Sequence, residues 1–364
     1  MTFSSRRIAL VSGAIVLAGL PWMAAGSAPV TPGATRAAPL AAPQPHPAVV
    51  RTERTPAAPA PYWTRARMEN ARDMTSGAAG ASAAGGISTA TGASAAGVSI
   101  GAGTASGLGA RWGWDGAVAR STGRVFLTLN GTDYSCSGSA VVSANASVVA
   151  TAAHCVSDGA GRWATHWIFV PGYHDGHRPY GSFPARKYFA AAGWQHGADE
   201  DDDIAFVVVS PARVHGTVRA LTDAVGGQQI AFGRRDTLQT VFGYPSDPPY
   251  NGRQLDYCGG LLLPDPYGAA DAGLECTMTE GSSGGPWFSG FDSRTGRGTI
   301  TGVTAFRYKG NSLTLFSANL GATAKALYEK AQHVAAPHVR AQHANAPHAN
   351  APHAKVPHAK VPHA

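Results

Sequence analysis

The sequence predicts an all-β fold, and two observations support that prediction. Residues 111 to about 320 contain many short runs rich in β-branched and aromatic residues, separated by segments rich in Gly, Pro, Asn and Asp. Helical periodicity is weak until the end of this region. Short strands joined by frequent turns are typical of a β-barrel or β-sandwich. The runs are 125–129, 139–142, 148–151, 167–170, 204–209, 239–242, 299–306 and 313–317.

The first 28 residues have the pattern of a secretory signal peptide. Arg6 and Arg7 precede a 13-residue apolar run, 8–20, which small residues follow at 24–28. The apolar run is too short to span a bilayer, so no membrane span is predicted. The pattern favours a general secretory signal over a twin-arginine signal. We therefore expect the protein to be secreted and extracellular.

Residues 29–110 are dominated by Ala, Pro, Gly, Ser and Thr and offer too little apolar surface to offset the entropy of ordering the backbone. We interpret them as a disordered leader or propeptide. One segment differs: residues 63–74, WTRARMENARDM, contain charged residues and several helix formers. This segment is a candidate for a short helix, with an incidental charged patch as the alternative.

The C-terminal end has two parts. Residues 320–332, LGATAKALYEKAQ, are rich in helix formers and predict a terminal helix. Residues 333–364 form a pentapeptide repeat in which His recurs every five residues from His333 to His363, mostly as Pro-His-Ala. Such a tail is expected to be extended and disordered. It could gather imidazoles around Zn, Ni or Cu with weak affinity, and a solvated repeat without function is the alternative.

The charge distribution argues against a nucleic-acid partner. The formal net charge is +7, yet residues 111–330 hold 18 Lys and Arg against 19 Asp and Glu, so the excess lies at the two ends. No cofactor and no metal site are predicted in the folded region. We expect a monomer.

The four cysteines predict two disulfides, because an exported chain meets an oxidising environment and no pair has the C-x2-C spacing of a zinc site. Three connectivities are open. Proximity in sequence favours Cys136 with Cys155 and Cys258 with Cys276.

Three short motifs suggest nucleophilic catalysis. Ser283 lies in the glycine-rich turn GSSGGP, and a serine hydroxyl needs a base and an orienting acid to attack a carbonyl at neutral pH. His154 follows a predicted strand in TAAHC and is the candidate base. Asp203 opens DIAF and is the candidate acid. It ends the acidic run 199–203 and is preferred to Asp202 because it adjoins the apolar strand.

At these three motifs, which occur in the order His, Asp, Ser, the chain resembles the trypsin-like (chymotrypsin-fold) serine peptidases, most closely a bacterial secreted, glutamyl-endopeptidase-like branch. The resemblance implies two six-stranded antiparallel β-barrels over residues 111–332. It implies that His154 acts as general base, Asp203 orients it, Ser283 attacks, and the N–H groups of Gly281 and Ser283 form the oxyanion hole. The order of the motifs excludes an α/β-hydrolase, in which acid and histidine follow the serine.

The chain departs from the family pattern in the turn itself. Ser282 stands where pancreatic-type relatives have an Asp that receives a new N-terminal ammonium, and no IVGG-like start precedes residue 111. We therefore expect that removal of the leader unblocks the site rather than building it, with segment 63–74 as the candidate occluding element.

The resemblance also points to three pocket residues. Thr277 corresponds to the base of the primary pocket and carries no negative charge, so a preference for Arg or Lys is not expected. Thr304 and Phe306 lie in the strand that would line the wall, which lacks the histidine used by glutamyl-specific relatives.

These observations predict a secreted serine endopeptidase that acts on protein or peptide substrates. One alternative is a non-catalytic surface or metal-binding protein on a peptidase fold. Another is a serine esterase on the same fold.

Overall fold

Short β-strands dominate the computed structural model, which describes residues 46–52, 62–74, 109–113, 115–267, 271–310 and 313–335. The strands are β1 Ala48–Thr52, β2 Arg72–Asp73, β3 Ala110–Arg111, β4 Thr122–Leu129, β5 Thr132–Val141, β6 Val148–Thr151, β7 Thr165–Pro171, β8 Phe183–Ala191, β9 Ala205–Val209, β10 Ala212–Val214, β11 Thr217–Arg219, β12 Gln229–Ile230, β13 Leu238–Gly243, β14 Asp256–Leu261, β15 Leu263–Pro264, β16 Ala272–Glu275, β17 Pro286–Asp292, β18 Arg297–Phe306 and β19 Thr314–Asn319. The helices are α1 Arg65–Glu69, α2 Ala117–Ser121, α3 Ala192–Gly197, α4 Leu221–Val225 and α5 Ala322–Gln332, with one 3-10 turn at Glu200–Asp202.

Strands β4 to β9 form a closed antiparallel barrel. Their order is β7-β4-β5-β6-β9-β8, and β8 closes it by pairing with both β9 and β7. Side chains alternate along β4: Val125 and Leu127 pack into the barrel core, whereas Phe126 packs into a second cluster, called the interface core below because it includes residues of the other sheet. Alternate side chains of β4 therefore pack into two different hydrophobic cores on the two faces of the strand.

The second half of the domain is a sheet of many strands. Six of its strands run antiparallel in the order β16-β19-β18-β17-β13-β14, and β12 pairs with β18 as a parallel strand. A disulfide between Cys258 in β14 and Cys276 just after β16 ties the two ends of this six-strand path together. The all-β prediction is confirmed, as is the predicted pairing of the four cysteines.

The leader is not uniformly disordered, contrary to the prediction for residues 29–110. β1 pairs antiparallel with β8 over five residues, and β2 pairs parallel with β5. Between these strands, α1 is capped at Thr64, whose hydroxyl accepts from the Arg67 amide. Both segments find partners in the barrel, which composition alone does not reveal. The rest of the leader and the predicted signal peptide lie outside the described residues.

The predicted terminal helix is confirmed as α5. Its buried residues Leu327 and Ala331 face the first barrel, and Tyr328 Oη donates to the Val142 carbonyl at 2.6 Å. The helix ends at Gln332, and the histidine repeat beyond residue 335 lies outside the described residues. None of the helices in the described ranges has the length and apolar content needed to cross a membrane.

Candidate active site

His154 follows the end of β6 in a tight turn. The Cys155 amide donates to the Ala152 carbonyl at 3.2 Å, and Ala152 and Ala153 are completely buried, so small side chains let the turn pack closely. The disulfide between Cys136 in β5 and Cys155 ties this turn to the neighbouring strand. The backbone that carries the His154 imidazole is thus anchored covalently at the next residue, Cys155.

Asp203 meets His154 because β6 pairs with β9, with Thr151 opposite Ala205. Asp203 Oδ2 lies 2.7 Å from His154 Nδ1, and Asp203 Oδ1 accepts from the His154 backbone amide at 2.8 Å. The carboxylate is fully buried. Two contacts to one residue fix the ring orientation and favour the tautomer in which Nδ1 carries the proton.

Asp202, the alternative acid, lies in a different environment. Its carboxylate contacts His46 from the leader, and burial raises its pKa. Ligand atoms of His46, Asp199 and Asp202 lie within 4.8 Å of one another, which makes them the group that could hold a cation. The His46 imidazole already contacts the Asp202 carboxylate.

Ser283 lies in the turn before β17. Gly281 and Gly284 have φ values of +89° and +80°, and a Cβ on Gly284 would collide with Thr151 Oγ1 beside the histidine turn. The Ser283 carbonyl accepts from the Ser137 amide at 2.7 Å. Glycine is therefore required for this turn to dock against the strand that leads to His154.

The two amides assigned to an oxyanion hole lie on this turn. Neither the Gly281 amide nor the Ser283 amide has a hydrogen-bond acceptor within the part of the chain that the structure describes. Ser282, which replaces the expected Asp, donates from Oγ to the Thr279 carbonyl at 2.7 Å. A neutral local hydrogen bond thus supports the turn where an ion pair would otherwise do so.

A leader residue contacts the serine. Ser283 Oγ donates to the Met74 carbonyl at 3.2 Å, and the Met74 amide donates to the Ser135 carbonyl at 3.2 Å. His154 Nε2 is buried and has no partner among the described residues. Ser283 is only 6% exposed and His154 2%. The Ser283 hydroxyl therefore donates its hydrogen bond to the leader and not to His154. Solvent has little access to either side chain.

Side chains of the segment Tyr62–Met74 fasten it to the barrel. Trp63 is buried among the residues of the interface core, and the Tyr62 ring stacks on His166 with centroids 3.7 Å apart. The Arg67 guanidinium lies over the Tyr62 ring, and its Nε and Nη2 atoms both contact Asp133 Oδ2, at 2.8 and 2.7 Å. Stacking, burial and an ion pair together hold a segment that has only five helical residues.

The three predicted pocket residues have different surroundings. Thr277 Oγ1 accepts from the Gly109 amide at 2.9 Å and lies 3.0 Å from Tyr250 Oη. Thr304 Oγ1 accepts from the Trp287 indole at 3.0 Å, so its hydroxyl serves the core. Phe306 stacks on Phe316 in the interface core. The pocket itself stays a prediction.

Two leader residues near the Ser283 turn were not predicted: Met74, which contacts Ser283, and Asp73, which contacts Ser135 and Ser246. The only signal for them was the charged segment 63–74 inside a low-complexity leader. Contacts from that segment to a turn about 200 residues away depend on the fold and cannot be found from composition.

The family of the chain is decided by its match over the domain just described. The sequence model of the family described as Trypsin matches residues 111–318. The chain belongs to the trypsin family. This match covers both the barrel with His154 and Asp203 and the sheet with Ser283, so the site lies in the region that this trypsin-family chain shares with its relatives.

Solved structures agree with this membership. The protease Anisep from Arthrobacter nicotinovorans is 38% identical, with a TM-score of 0.55 over 59% of this chain and 96% of that chain. A thermostable serine protease, AL20, from an extremophilic microorganism is 34% identical, with a TM-score of 0.56 over 60% of this chain and 100% of that chain. No curated protein matches. This trypsin-family domain is therefore a protease domain, with additional chain before and after it.

Proposed function

We propose that the protein is a secreted serine endopeptidase that hydrolyses peptide bonds through an acyl-enzyme on Ser283. One observation carries the proposal: the Asp203 carboxylate holds the His154 ring at 2.7 Å from behind, while the turn with Ser283 docks onto β5, the strand that pairs with β6. The two buried disulfides and the signal-like N-terminus support secretion. We expect the enzyme to act as a monomer on protein or peptide substrates.

The proposed reaction has two halves, acylation of Ser283 and hydrolysis of the acyl-enzyme, and His154 and Asp203 act in both. Ser283 Oγ attacks the scissile carbonyl as His154 Nε2 takes its proton, and Asp203 stabilises the imidazolium. The amides of Gly281 and Ser283 bind the oxyanion. Collapse of the tetrahedral intermediate breaks the C–N bond, and His154 gives the proton to the leaving amine. In the second half, water attacks the acyl-enzyme carbonyl as His154 takes its proton. Collapse of this intermediate releases the carboxylic acid product, and His154 returns the proton to Ser283 Oγ.

The leader is proposed to be a propeptide that keeps this site latent. The Met74 carbonyl accepts the hydroxyl hydrogen bond of Ser283, and the catalytic groups are almost completely covered. A substrate cannot approach Ser283 while Met74 lies there. Removal of the leader would therefore open a site that is already assembled, which agrees with the neutral residue at Ser282.

The proposal is tested with a fluorophosphonate probe on the protein collected from the culture medium. We expect a single labelled residue, Ser283, identified by peptide mass, together with hydrolysis of a protein substrate. Ser283→Ala should abolish both, whereas Ser210→Ala, half-buried just after β9, should leave both unchanged. Labelling that survives Ser283→Ala, or folded and processed protein without labelling, would overturn the proposal. Turnover of ester but not protein substrate would point to an esterase.

A further inference from the structure

A buried arginine lies beside the active-site turn and has no role in the triad. Arg124 in β4 is 4% exposed. Its guanidinium donates to the Gly252 carbonyl at 3.0 Å, to Ser135 Oγ at 2.9 Å and to Ser246 Oγ at 3.2 Å. All three acceptors are neutral. A buried positive charge with neutral partners is costly, so its surroundings favour an anionic group nearby.

The hydroxyls of Ser135 and Ser246 link the Arg124 guanidinium to a carboxylate. Ser135 Oγ and Ser246 Oγ both accept from Arg124 Nη2, and both donate to the same carboxylate oxygen, Oδ1 of Asp73. The Ser135 bond to Asp73 is 3.2 Å long. Hydroxyls that accept from a cation become stronger donors. The three residues therefore present two O–H donors, backed by a buried charge, to one carboxylate.

The anion that they bind comes from the leader. Asp73 directly precedes Met74, whose carbonyl contacts Ser283. Asp247 also faces Asp73, and burial followed by the contact with Asp73 raises the pKa of Asp247. A peptide that passes Ser283 along β5 would place its own side chain where Asp73 lies.

We infer that Arg124, Ser135 and Ser246 form a subsite for an acidic side chain of the substrate, next to the scissile bond, which Asp73 of the leader fills in the uncleaved chain. The inference rests on the proposed peptidase function, because only a substrate of Ser283 would reach the subsite. It adds a chemical class, a carboxylate-bearing peptide, to a specificity that the primary pocket residues leave undefined.

The first experiment uses the full chain with its leader intact. Asp73→Asn keeps the shape of the side chain and removes its charge, so the leader should release Ser283 more often and the rate of fluorophosphonate labelling should rise about tenfold. Glu69→Gln is the matched control, because it also removes one negative charge from the leader but contacts Arg65 and not the subsite. Equal labelling rates for the Asp73→Asn and unchanged chains would overturn the inference.

The second experiment uses the processed enzyme from the culture medium and pairs of peptides that differ only in Asp or Asn at each position around the cleaved bond. At one position, the Asp peptide should have about tenfold higher kcat/KM than its Asn partner. Ser246→Ala should reduce that ratio to about twofold, because Ser246 lies on a loop and its loss leaves Arg124 packed. Arg124→Gln should remove the ratio altogether.

The outcomes separate the two proposals. No labelling of Ser283 in any processed protein would refute the peptidase function itself. Labelling and cleavage with no Asp preference at any position, or with a preference that survives both Ser246→Ala and Arg124→Gln, would refute only the acidic subsite. If Arg124→Gln does not fold, Ser246→Ala and the Asp73→Asn chain still decide the question.

Discussion

Two segments of the leader pack against the same barrel by different means. β1 adds to the edge of β8 through backbone pairing from Ala48 to Thr52, and Val50 on it remains 47% exposed. The segment Tyr62–Met74 relies on a few large side chains and one ion pair, and it ends on Ser283. In the described part of the chain, no residue of β1 hydrogen-bonds to the triad.

This difference separates two roles within one leader. An edge strand bound by its backbone contributes to folded-state stability whatever its side chains are. Under the proposed function, a segment held by anchors across Ser283 competes with substrate, so its affinity sets how much active enzyme an uncleaved chain contains. Changes in β1 should alter stability, and changes in Tyr62–Met74 should alter activity.

Trp63→Ala in the full chain tests the second half of this comparison and has the largest expected effect. Loss of a buried aromatic ring costs about 3 kcal/mol or more. Because the segment can detach, that cost falls on its binding, and fluorophosphonate labelling of Ser283 in the uncleaved chain should rise about 100-fold. Val49→Ala in β1 is the control and should not change labelling. Unchanged labelling of the Trp63 variant would show that the segment does not limit access to Ser283.

Val49→Pro tests the expectation that changes in β1 alter stability. The Ala192 amide donates to the Pro47 carbonyl, and antiparallel pairs alternate, so the Val49 amide is expected to donate to Ala190 while the Val50 amide points outward. Proline at 49 should lower the free energy of unfolding by about 1 kcal/mol. Val50→Pro is a matched control with a smaller expected loss. Thermal unfolding in the Ser283→Ala background measures both. Equal losses would mean that the β1 ladder contributes no stability of its own.

Arg67→Gln gives a smaller effect on the active-site segment. Arg67 is 44% exposed and Asp133 17% exposed, so water screens their ion pair and we expect only a small contribution from it. Labelling of the uncleaved chain should rise about threefold. Added salt should raise labelling of the unchanged chain and should have little effect on the variant. A variant with full salt dependence would place the ionic contribution elsewhere.

The sequence singled out His154 and Asp203, which the structure brings together, because each lies at the end of an apolar run. His154 and Asp203 flank strands whose apolar pattern is continuous, and the structure brings them together through the pairing of β6 with β9. β8 and β14 were not predicted. Their sequences, FPARKYFAA and DYCGGL, interrupt the apolar pattern with charged residues and glycines, so their conformation depends on neighbouring strands.

The leader contacts and the arginine subsite could not be predicted for a different reason. Met74 and Ser283 are 209 residues apart, and Arg124 reaches Ser246 across 122 residues. In the sequence, Arg124 is one charged residue in the strand TGRVFLTL, where exposure is the usual expectation. Only the packing of the two halves reveals that it is buried beside the active-site turn.

His46→Gln gives the smallest expected effect and tests whether β1 depends on anything besides its backbone. The hydrogen bond to Asp202, then the charges of Asp202 and Asp199, raise the pKa of His46 above 6.5 against a smaller opposing effect of burial. A raised pKa means that the stabilisation is complete below pH 6.5 and is lost as the pH rises through the folded-state pKa.

Because His46 is 49% exposed, solvent screening limits its contribution to about 0.5 kcal/mol. Unfolding measured from pH 5.5 to 8.5 in the Ser283→Ala background should therefore show a slightly flatter pH profile for His46→Gln. The exposed His196→Gln serves as the control and should keep the original profile. Identical profiles for all three proteins would mean that the contact of His46 with Asp202 adds nothing and that the ladder with β8 alone holds β1. Labelling of Ser283 in the uncleaved chain should be the same for both histidine variants, because neither touches the segment that covers the serine.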